Sequence, residues 1–150
     1  MTSLYPSLLR LIERAIQNPV KGYSVYILNE PESVWPRLGR PFSFQKTNKP
    51  TPALSWFGIY DTAMGPIIYI GICDYPEWCR PVYDLALKKQ LLEGQSFRKP
   101  YIDLLRGELC FALKEQKTAG LLLAREAEMQ EKMLAEFFAE VIQLLGEYLA

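Results

Sequence analysis

The stretch LSWFGIYDTAMGPIIYIGIC, residues 54–73, decides how this chain folds. Its two ends, Leu54–Tyr60 and Ile67–Cys73, are rich in aromatic and β-branched residues, which suit a pleated, half-buried surface. Residues 61–66 between them form a short turn-like segment, so the pair reads as an antiparallel hairpin. The second run is apolar on both faces apart from Tyr69 and Gly71. A strand of that kind belongs in the middle of a sheet, with helices over it.

Working outward toward the C-terminus, residues 74–93 read as helical. Asp74 and Glu77 stand three apart, as in a capping box. Pro81 lies too deep for the first turn, which predicts one turn followed by a new helix. Residues 101–105 and 109–113 flank Arg106-Gly107 and alternate, predicting a second hairpin. Residues 121–124 suit a last short strand or the first turn of the final helix equally well. From Met133 to Tyr148 the apolar residues all fall within about 180° of a helical projection, so a long terminal helix is expected.

Toward the N-terminus, Tyr23–Leu28 reads as a strand. Residues 30–52 hold five of the eleven prolines; proline cannot donate to a ladder, so this region reads as a long surface loop, with Phe42-Ser43-Phe44 as a short edge strand. Residues 4–16 place Leu8, Leu11, Ile12, Ala15 and Ile16 on one side and Arg10, Glu13 and Arg14 on the other. That is an amphipathic helix, ended by Asn18-Pro19. The expected fold is a single α+β domain over residues 1–150. Its sheet is mostly antiparallel, possibly mixed, and has about five strands; an N-terminal, a middle and a long C-terminal helix pack mainly on one face.

Composition narrows the function. Hydrophobic residues make up 49% and charged residues 23% of the 150, a globular balance, and seventeen basic residues offset seventeen acidic ones. Net charge therefore steers the chain toward neither nucleic acid nor membrane. The chain has no histidine. Histidine-based general bases, triads and metal sites are excluded, and any catalysis falls to carboxylate, lysine, tyrosine or cysteine. Cys73, Cys79 and Cys110 are irregularly spaced and read as reduced structural thiols. With no signal sequence and no apolar stretch near the roughly 20 residues of a membrane span, the expected location is the cytoplasm. No phosphate-loop, dinucleotide or nucleophile-elbow motif occurs, and no metal or other cofactor is implied.

Three stretches could carry function. The first is the terminal helix, about 26 residues counted from Arg125 and so roughly 39 Å long, against a diameter of roughly 38 Å for a compact domain of this size. Its apolar arc (Met133, Phe137, Phe138, Val141, Leu144, Leu145 and Tyr148) exceeds the usual stripe of about 100°. Beside it runs a ridge of small residues, Ala135, Ala139 and Gly146. The expectation is a non-catalytic interaction module that forms a homodimer, or meets another protein, through this helix.

The second stretch interleaves Arg37, Arg40, Lys46 and Lys49 with Trp35, Phe42, Phe44 and Trp56, the combination that would grip a phosphate backbone and stack its bases. The third pairs Asp74 with Glu77 just past a central strand, a thin carboxylate site for a metal-assisted enzyme. Helix capping explains that pair equally well.

Overall fold

The computed structural model describes residues 5–18, 20, 22–27, 32–34, 37–46, 53–62, 65–73, 84, 88, 97–98, 101–103, 108–124 and 126–149. Seven strands are present: β1 (Tyr23–Ile27), β2 (Glu32–Val34), β3 (Arg37–Lys46), β4 (Ala53–Thr62), β5 (Gly65–Cys73), β6 (Tyr101–Asp103) and β7 (Glu108–Ala112). Three helices are bounded by described residues: α1 (Tyr5–Gln17), α2 (Glu115–Leu123) and α3 (Ala127–Leu149). Asp84 and Lys88 are also helical, within the expected middle helix, whose other residues lie outside those described.

The sheet is antiparallel throughout, in the order β1-β3-β4-β5-β7-β6. β2 pairs with β3 over residues 37–39 and β1 pairs with it over 42–46, so both lie along the same side of β3. The fold is α+β, as expected, and the described residues form seven strands. The deciding hairpin is β4–β5: Thr62 pairs with Gly65, leaving two residues between them. Gly65 has φ +113°, a backbone state that glycine alone enters at no steric cost. β5 lies between β4 and β7, at the centre of the sheet.

Two expectations are corrected. The first is the proline-rich loop, which contains a ten-residue interior strand, β3. Proline is compatible with that position because the ladder to β1 begins at Phe42 and the ladder to β2 ends at Gly39. Among the described residues Pro41 pairs with neither β1 nor β2, and its partner is Trp56 of β4. The second is residues 121–124, which belong neither to a strand nor to the terminal helix: residues 121–123 are the last turn of α2. Ala124 is extended (ψ 126°) and separates the two helices. Gln130 of α3 donates from its side-chain amide to the carbonyls of Leu121 and Ala124, at 3.2 and 3.1 Å. The Leu121 carbonyl also accepts the main-chain N–H of Ala124, at 3.3 Å, so the amide adds a second donor at the end of α2.

The main core lies between the sheet and the helices. Alternation sends Phe57 and Ile59 of β4, Ile68, Ile70 and Ile72 of β5, and Leu109 and Phe111 of β7 to one face, where they meet Ile12 and Ile16 of α1 and Leu134, Phe137 and Phe138 of α3. Phe138 stacks parallel to Phe57 (5.8 Å between centroids, 3°) and meets Phe42 edge-on at 5.4 Å. The opposite face carries Trp56, Tyr69, Cys110 and Ala112, all buried, with the Trp56 and Tyr69 rings 5.0 Å apart. There the Trp56 indole lies against Gly39; a Cβ on Gly39 would overlap the indole and stand 2.6 Å from the Phe57 carbonyl oxygen.

Candidate interaction surface

The terminal helix does not carry the surplus of apolar surface that its sequence suggests. Phe137, Phe138 and Val141 are completely buried, Leu144 is 5% exposed, and Met133 is half-buried against the same core. The side chains of Leu145, Gly146 and Tyr148 lie outside those described. The physical reason is β3. It was hidden behind prolines, it places Phe42 beneath Phe138, and α1 covers the flank of the arc. The described part of the arc is inner wall.

Of the basic–aromatic stretch, the described side chains are those of Arg40, Phe42 and Trp56, and they do not share one face. Arg40 points to the helix-covered face, where its side chain is 15% exposed and its Nε stands 3.5 Å from Glu13 Oε1 of α1. Phe42 is buried on that same face, whereas Trp56 is buried on the opposite one. Strand alternation is responsible: Arg40 and Phe42, two apart in β3, share one side, and Trp56 of β4 faces the other. Arg37, Phe44 and Lys46 fall within β3, but their side chains are not described, and Trp35 and Lys49 lie outside the described residues. Asp74 and Glu77 also lie outside them. Cys110 is buried. Among the described residues no three potential metal-ligating side chains come together.

What the helices do build is a groove of about 490 Å³ between α1 and α3. Helical spacing puts Glu128, Lys132, Ala135 and Ala139 along one row of α3, facing the polar side of α1. Ala135 and Ala139 are half-buried and form the floor. Arg14 of α1 bridges toward Glu131 across the groove, at 3.6 Å between Nη1 and Oε2, with both side chains largely in solvent. Lys132, Glu128 and Glu136 stand exposed on the rim. The small-residue ridge was visible in the sequence. Arg14 and Asn18 were not singled out, because only the packing of α1 against α3 brings them to that ridge.

Two more large apolar residues are exposed at the corner between α2 and α3: Leu123 is 80% exposed and Met129 49%. No helix among the described residues is long and apolar enough to cross a membrane. No family model, no curated protein and no solved structure matches this chain, so its class is defined by its own architecture: an antiparallel α+β sheet with a helical layer on one face.

Proposed function

We propose that this chain is a non-catalytic interaction module that pairs with a second copy of itself across the α1–α3 groove, in place of the buried arc of α3. The observation carrying this reading is the charge pattern around the alanine floor. Arg14 and Lys132 stand beside Glu128, Glu131 and Glu136, both signs within one groove. A two-fold axis sets each residue of such a surface against a different residue of the partner, so a mixed-sign face complements itself. A uniformly charged face would repel its own copy.

Size is in keeping with this reading. At 1.5 Å per residue and about 10 Å of width, α3 and α1 together offer roughly 550 Å² per copy. A pair would bury about 1,100 Å², at the lower edge of specific interfaces, which suits a reversible dimer.

Sedimentation equilibrium is the test. The expected result is a dimer with micromolar dissociation, weakened by salt because the rim charges are exposed. Lys132→Glu should weaken it by about tenfold, equivalent to about 1.4 kcal/mol. A pure monomer at tens of micromolar removes the proposal.

A further inference from the structure

A second recess lies away from that groove, between the start of β5, Arg98 and α2, with a volume of about 340 Å³. Arg98 is held as a fixed fork. Its main-chain N–H donates to the Ala112 carbonyl at 2.8 Å and its Nε to the Leu113 carbonyl at 3.0 Å. With Nε committed, the terminal nitrogens are the part of the guanidinium available to a ligand, and a carboxylate matches their planar geometry. Their contact within the protein is Glu115, 3.7 Å from Nη1 to Oε1, beyond hydrogen-bonding range. The Glu115 side chain is 80% exposed and so is readily displaced. Its carboxylate already shows which group Arg98 accepts.

The other walls are apolar: Pro66 and Ile67 from β5, Ala119 and Leu122 from α2. Thr118 also lines the recess. The residue is 5% exposed, and its hydroxyl is enclosed without a hydrogen-bond partner. A helical threonine commonly donates to the carbonyl one turn back. Here Lys114, one turn back, receives the main-chain N–H of Thr118 and not its hydroxyl. An acceptor oxygen in the recess would satisfy that donor.

From the fixed guanidinium, the loose carboxylate beside it, the orphan hydroxyl and the apolar walls, we infer that this recess binds a small monocarboxylate with an apolar body of about benzoate size. Its volume is at the small end of ligand pockets, which run from about 300 to 1,000 Å³. Glu115 selects against dianions, because a second negative charge would lie against it with a single arginine to share. The inference does not depend on the chain pairing with itself.

Titration of the full chain with benzoate, benzamide and inorganic phosphate, followed calorimetrically and by amide shifts of α2 and β5, tests it. Benzoate should bind and shift those amides; benzamide and phosphate should bind at least about tenfold more weakly, the discrimination expected from one charge-assisted pair. Glu115→Gln should tighten benzoate severalfold by removing the competing carboxylate, and Arg98→Lys should weaken it by losing the fork. Ala119→Leu changes an exposed helix position and fills the recess, so it should abolish binding with an unchanged Tm. No benzoate binding at millimolar concentration, binding undiminished in Ala119→Leu, or a preference for phosphate overturns the assignment.

Discussion

The two faces of the central sheet are built on different principles. On the helix-covered face, Phe42, Phe57, Ile70 and Phe111 meet side chains from α1 and α3, so the core forms between independently placed elements. On the opposite face the fit is between a side chain and the sheet's own backbone: the Trp56 indole occupies the space that any side chain at residue 39 would need. Elements that pack through side chains can shift by a few tenths of an ångström to absorb a change. A ring lying on a strand cannot, because the strand is fixed by its ladders to β2 and β4. The first face should therefore fail by losing volume and the second by gaining it.

The largest expected effect breaks the first face. Phe138→Ala removes a ring that touches Phe42 and Phe57, and should cost about 3–5 kcal/mol in urea unfolding through lost burial and a residual cavity. Next comes the second face. Gly39→Ala adds one methyl group and should cost about 2–3 kcal/mol by overpacking against the indole and the Phe57 carbonyl. A neutral Gly39→Ala would mean that Trp56 moves freely, and the distinction between the faces would be lost.

The smallest effect sharpens the contrast within the helical layer. The Arg40–Glu13 and Arg14–Glu131 pairs have almost the same separation, 3.5 and 3.6 Å, but the first is largely enclosed and the second lies in water. Glu13→Gln should cost about 1 kcal/mol by leaving a sheltered guanidinium without its carboxylate. Glu131→Gln should stay within about 0.5 kcal/mol of the parent. Denaturant midpoints of the two variants, measured side by side, decide whether burial or distance sets the value of an ion pair here.

Residues 54–73 disclosed their hairpin because both signals of strand pairing were local: β-branched and aromatic runs on either side of a glycine-containing turn. The second hairpin, β6–β7, was legible around Arg106-Gly107 for the same reason. β3 was not, because its prolines argue locally against a strand, and the ladder that places Pro41 opposite Trp56 of β4 appears only in the assembled sheet. α2 escaped notice because Thr118 and Leu121 alone are buried along it; two residues three apart make no visible period.

For the candidate surface, the periodicity of residues 133–148 measured the width of the apolar arc correctly. It could not say what lay against that arc. The covering residue Phe42 is about a hundred positions away, in a stretch that reads only as a short edge strand. The alanine ridge was readable, but its partner Arg14 was not, since no local pattern links the first helix to the last.

The Gln130 amide has a consequence for how the molecule moves. It belongs to α3 yet grips the final carbonyls of α2, so the short corner between them has little slack and the direction of α2 follows from that of α3. The wall that carries Thr118 and Ala119 is thus bolted to the rod that carries Lys132 and Ala139.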